Sequence, residues 1–280
     1  VSNGKRATDL RGFGRNSETL IAARTVQSRA QSFVEQHKLL AGELSAQDQA
    51  LTRVVDMAHE SKQLILGAIS SGRAETLTDT LNSLFSQAAD ALNWKHEGRY
   101  LFAGSQVDIP PVAVDDLASL VATPPADVFD NDSARTVSRL NESSTITTGF
   151  LASSVGAEFF DILREIQVYH TGVNGPLNGV LNETQLDFLK DKLGDLETAH
   201  EGLISRVAEN GLLQQRVADA QEAQMRRVDM LKGFIGDIAE VDVAEAFTRL
   251  EQARMATQAS AQALRALQQT SLLNLLGTGN

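Results

Sequence analysis

Leu186, Leu189, Leu193, Leu196, His200, Leu203, Val207 and Asn210 recur at alternating steps of three and four. No proline interrupts the chain from Leu181 to Leu276. Such a stride is the seam of a helix lying along a long partner. The same stride runs through Leu40, Leu44, Gln47, Leu51, Val54, Ala58 and Ser61 and continues to Ile65 and Ile69. The two ends of the sequence are therefore expected to lie side by side, with the intervening chain projecting outward. His200 and Asn210 occupy seam positions, where a polar side chain fixes register at some expense in stability.

The pattern predicts a first helix over 17–71, opened by Asn16 or Ser17 as cap and by Glu18 at the positive helix end. At about 1.5 Å per residue such a helix is on the order of 80 Å long. A second helix is expected over 74–97, with Leu77, Leu81, Leu84, Phe85, Ala88 and Leu92 on one face. Tyr100-Leu101-Phe102 is a short β-prone run closed by Gly104. Residues 105–152 hold four of the five prolines and β-prone pieces at 112–114, 134–140 and 145–148. Helices follow over 157–170, 182–238 and 243–276, the first two separated by a loop with Gly172, Gly175, Pro176 and Gly179.

The expected fold is mainly α with a small β insertion: an elongated antiparallel helical rod made from both termini plus an outer β-rich domain. Its parts are 1–103 and 153–240 in the rod, 104–152 in the insertion, and 241–280 as a terminal assembly helix.

Composition agrees with long helices. Hydrophobic residues make up 42% of the 280, but aromatics only 5%, and narrow helical seams need Leu, Ala and Val more than Trp and Phe. A net charge of −11 argues against nucleic acid, whose phosphates call for clustered Lys and Arg. Cysteine is absent, so thiol chemistry is excluded. No apolar run reaches the length of a membrane span and no signal peptide opens the chain, so no membrane insertion is expected. Val1 in place of methionine points to a natural start upstream.

Catalytic patterns do not emerge. His37, His59, His96, His170 and His200 are widely spaced and form no H-E-x-x-H motif. Gly12-Phe13-Gly14 lacks the remainder of a dinucleotide or phosphate loop, and no G-x-S-x-G elbow occurs. Asp115, Asp116, Asp127, Asp130 and Asp132 lack the spacing of a calcium loop and read as a solvated face. Hence no catalytic residue, cofactor or metal ligand is assigned, and no enzyme is expected.

Three stretches resemble the flagellin superfamily. Val1-Ser2-Asn3-Gly4-Lys5-Arg6 with Ala22-Ala23-Arg24 is similar to the region just after the first terminal helix of flagellin-type proteins. Glu240-Val241-Asp242-Val243-Ala244-Glu245-Ala246, through Leu250 to Ser271-Leu272-Leu273-Asn274-Leu275-Leu276, is similar to the flagellin C-terminal signature. Gly98-Arg99-Tyr100-Leu101-Phe102-Ala103-Gly104-Ser105, with Pro110-Pro111 behind it, resembles the hook-associated branch of the superfamily, as does the 206–216 stretch containing Gly211. The F-N-G-x-x-L-type segment of filament subunits is missing.

The resemblance implies a structural component of the bacterial flagellum at the junction of hook and filament. A filament subunit is the alternative, and a surface polysaccharide-binding homologue is ranked lower. It further implies an extracellular location reached through the flagellar type III apparatus. Implied partners are further copies of the chain, the larger hook-associated protein, flagellin, and a dedicated export chaperone at the C-terminal helix. An assembly interface is expected at Val243, Phe247, Leu250, Leu264, Leu267, Leu272, Leu273, Leu275 and Leu276, and a rod-to-insertion elbow at Tyr100, Leu101, Phe102 and Gly104. Since the terminal helix that should precede Val1 is lacking, 243–276 is expected to be loosely packed or held by another molecule.

Overall fold

The computed structural model describes residues 17–239 and 243–276. The helices are α1 (Ser17–Ser71), α2 (Leu77–Leu92), α3 (Leu117–Ala122), α4 (Ala152–Thr171), α5 (Glu183–Ala239) and α6 (Val243–Leu276). Two antiparallel pairs join them: β1 (Lys95–His96) with β2 (Arg99–Tyr100), and β3 (Val137–Arg139) with β4 (Thr145–Thr147). The described residues divide into two compact units, one from Ser32 to Met225 and the other gathering 17–31 with 226–239 and 243–276.

Within the unit from Ser32 to Met225, α1 and α5 run antiparallel. Asn210 touches Leu44 and Asp48, His200 faces His59, and Glu197 meets Lys62, so position falls on α5 as it rises on α1. Leu40, Leu44, Gln47, Leu51, Val54, Ala58, Ser61 and Ile65 are all buried, as are Leu189, Leu196, Leu203 and Asn210. The seam read from the three-and-four stride is therefore the buried one. Its far end is tied by backbone: Leu181 N donates to Gly72 O at 2.9 Å and Ala74 N to Gly179 O at 2.9 Å.

The second helix stops at Leu92, short of the expected end near Glu97. Asn93 explains the stop, for its carboxamide accepts from Val112 N at 2.9 Å and donates to Val112 O at 3.1 Å, pinning the chain to the insertion. Glu97 and Gly98 then take positive φ of 50° and 83°, the two-residue turn whose twist suits a tight hairpin between β1 and β2.

In residues 104–152 the expected strands occur as β3 and β4, and Val112 makes a single bridge to Phe129. The pattern did not indicate α3, a six-residue helix. It is fixed by a reciprocal cap: Ser119 N donates to Asp116 Oδ1 at 2.6 Å, and Asp116 N to Ser119 Oγ at 3.2 Å.

Val112, Val114, Leu117, Leu120, Val128, Ile146 and Phe150 belong to the same hydrophobic core as the seam leucines and as Phe85, Phe159 and Phe160 of α2 and α4. Arg135 reaches Glu209 of α5 at 3.5 Å and donates through Nε to Gly149 O at 2.7 Å. Shared apolar burial and these polar ties hold the insertion against the helix pair. The fourth helix likewise starts at Ala152, five residues before the expected Ala157, because the chain leaving the insertion is already ordered there.

Candidate assembly surface

α6 is rich in Ala, Gln and Leu, strong helix formers, and stays helical over 34 residues. Among its described residues the large apolar side chains face outward: Phe247 is 63% exposed, Leu250 49%, Met255 61% and Leu264 59%. At 3.6 residues per turn these four spread over about half of the helix circumference, too broad for a stripe covered by one neighbour. The side chains of Val243, Leu267, Leu272, Leu273, Leu275 and Leu276 lie outside the described residues, as do Glu240, Val241 and Asp242.

The last part of α5 adds Met230 and Phe234, both exposed. Sequence reasoning missed them. The three-and-four stride continues past Asn210 through Leu213 and Val217, both buried, and Met230 and Phe234 lie off that stripe, which was the available signal.

The elbow residues do come together. Tyr100 closes the β1–β2 pair opposite Lys95, whose ammonium lies 4.3 Å from the centre of its ring. Leu101 N donates to Trp94 O at 3.1 Å. Phe102 is fully buried, and its carbonyl accepts from Ala152 N at 3.0 Å, so the strands of chain entering and leaving the insertion are bonded to each other. Gly104 sits at φ 70°, and a Cβ there would collide with Asp132 Oδ1. That carboxylate accepts from Ser105 N at 3.0 Å, from the Ser105 hydroxyl and from Ala134 N at 2.9 Å. Hydrogen bonds from Ser105, hydroxyl first, and from Ala134 hold the Asp132 carboxyl below its ordinary pKa.

The polar seam positions are also occupied as read. Asn210 Nδ2 donates to Leu44 O at 3.0 Å and to Asp48 Oδ1 at 3.2 Å. His200 is part-exposed, with its ring centre 5.4 Å from that of His59. His37 was not singled out as a seam residue, yet it is fully buried on α1, its imidazole approaching the backbone of Arg139 and Leu140 without a completed hydrogen bond.

Residues 193–276 match the bacterial flagellin C-terminal helical region. The last third of the chain is thus similar to that flagellin region. The matched stretch takes in the α5 seam from Leu193 onward, with His200 and Asn210, and the whole of α6, so it includes every residue assigned to the assembly interface.

No curated protein matches the chain. Among solved structures, one from Vibrio parahaemolyticus described as a flagellar hook-associated protein is 15% identical with a TM-score of 0.67, covering 82% of this chain and all of that one. Bacillus cereus FlgL is 14% identical with a TM-score of 0.57, covering 77% of this chain and 98% of the other. At these identities the likeness establishes a shared fold. In this chain the matched stretch forms most of α5 and the whole of α6.

Proposed function

We propose that this chain is a structural subunit of the bacterial flagellum, placed where the hook meets the filament, with no catalytic role. The observation that carries the reading is the flagellin C-terminal match running onto an α6 whose Phe247, Leu250 and Leu264 stand open to solvent. Exposed apolar side chains spread around a helix mark a surface meant for other chains. Copies of this chain, the larger hook-associated protein and flagellin are the partners that fit such an axial position. A dedicated chaperone shielding α6 before export through the type III apparatus belongs to the same reading.

The Tyr100, Leu101, Phe102 and Gly104 elbow acts mechanically. By bonding entry to exit it makes the insertion move as one piece with the helix pair. Fold likeness to the hook-associated structures supports the junction over the filament subunit.

Genetic complementation tests the proposal. Expressed from its full gene, the protein should restore filament attachment and swimming in a strain lacking its junction protein, and should leave a strain without flagellin bare. Rescue of the flagellin-less strain instead would make it a filament subunit, and rescue of neither would reject both roles. In the rescued strain, Leu250→Asp with Leu264→Asp should abolish assembly while secretion continues.

A further inference from the structure

The solvent edge of the α1–α5 seam holds a cluster that the assembly role does not use, with His59 exposed and His200 part-exposed. His59 projects from α1 and His200 from α5, with ring centres 5.4 Å apart and planes inclined at 43°, tilted rather than stacked. Glu197 lies one turn before His200 on the same helix face and accepts from Lys62 Nζ at 2.6 Å; Glu201 adjoins His200 in sequence.

We propose that His59 and His200 form a two-imidazole site for a divalent transition-metal ion of the copper, nickel and zinc class, clasping α1 to α5. With metal–nitrogen bonds of about 2.0–2.1 Å, two imidazoles on one tetrahedral ion have ring centres about 5 Å apart, so the observed spacing needs little adjustment. Imidazole donors favour these ions over magnesium or calcium, which take oxygen ligands. Among the described residues no three His, Asp or Glu side chains are gathered as a ready metal cage. The ion is therefore held by two protein nitrogens and completed by water, an exchangeable clasp instead of a closed structural site.

Because the two ligands come from opposite helices, an ion bound to both stabilises their pairing by mass action.

Zinc titration of the tag-free full chain by calorimetry tests the site, with Cu²⁺ electron paramagnetic resonance as a second readout. One ion per chain is expected, weakened by at least about tenfold in both His59→Gln and His200→Gln and unchanged in His96→Gln. Zinc should raise the melting temperature of the parent protein but of neither seam variant, and bound copper should show two nitrogen ligands. Circular dichroism verifies that the variants fold. No zinc uptake at millimolar concentration, equal affinity in the parent and both seam variants, or loss of binding in His96→Gln would each overturn the proposal.

Discussion

The α1–α5 seam and the core between α2, α3 and α4 are built from different materials. The seam is aliphatic and interrupted by polar groups: Gln47 and Asn210 are fully buried, and Lys62 reaches Glu197 across the helix pair. The α2–α4 core is aromatic. Phe160 stands 4.7 Å from Phe85, 5.6 Å from Phe129 and 6.1 Å from Phe159, ring centre to ring centre. A two-helix seam offers few neighbours to any side chain, so polar layers there can select an alignment without sacrificing much burial. A site ringed by three elements can bury a whole aromatic, and it is there that stability is concentrated.

Removing an aromatic should therefore have the largest effect. Phe160→Ala is expected to cost about 3–5 kcal/mol, the range for deleting a buried Phe, read from the urea midpoint with the slope checked for constancy. A loss no larger than that of Leu203→Ala in the seam would erase the distinction drawn above.

Next comes the elbow, which ties the two regions together. Gly104→Ala places a Cβ at positive φ and against Asp132, and should cost about 1–3 kcal/mol in thermal or urea unfolding. Hydrogen exchange should locate the loosening in residues 105–150 and leave the seam amides protected. Loosening that spreads along α1 and α5 would show that the insertion supports the helix pair more than the elbow does.

Much of this was legible in advance because a seam announces itself by period. Leu40 to Ile65 and Leu189 to Asn210 could be listed from spacing, the length of α1, α5 and α6 followed from the scarcity of breakers, and the end of α1 from Gly72. The insertion was harder to read. Nothing local tells that Asn93 will bond to the backbone of Val112, nineteen residues on, and so end α2 early. α3 is short enough that its single turn of Leu117 and Leu120 gives no detectable period, and only the Asp116–Ser119 cap marks it. His37 escaped for a related reason: it is buried by the insertion folding back onto α1, a contact between segments about a hundred residues apart. Of the assembly residues, the sequence gives the outward Phe247, Leu250 and Leu264 as candidates but cannot distinguish a surface from an intramolecular seam.

His37 sharpens the comparison through pH. Burial lowers its pKa from the ordinary 6.5, outweighing the backbone carbonyls of Arg139 and Leu140 that act to raise it. The unfolded chain then binds the proton more readily than the folded one. Stability is fully present above the ordinary value and declines as pH falls through 6.5 toward the lower folded value. Urea midpoints at successive pH values should fall more steeply in the parent than in His37→Gln, which does not titrate. Parallel profiles would remove His37 from the acid response and leave it to other groups, His200 among them.

The smallest change in stability should carry the most information about the seam. Asn210 is fully buried, its amide donates to Leu44 O and Asp48, and its own oxygen has no partner. A half-satisfied buried amide contributes little net, and leucine at this position would recover apolar contact, so Asn210→Leu is expected to shift stability by no more than about 1 kcal/mol. What leucine cannot do is distinguish one alignment from another. Slipping α5 by a turn preserves leucine against leucine but would carry Asn210 away from Leu44 and Asp48, a loss only the polar residue registers. Since the chain lacks cysteine, cysteines placed at 62 and 197, or at 62 and 201, report alignment by which pair oxidises. The parent should cross-link only through 62 and 197, where Lys62 and Glu197 now meet, while Asn210→Leu should yield both products. Exclusive 62–197 cross-linking in the variant would shift responsibility for register to the leucines and to the Gly72–Leu181 tie at the seam's end.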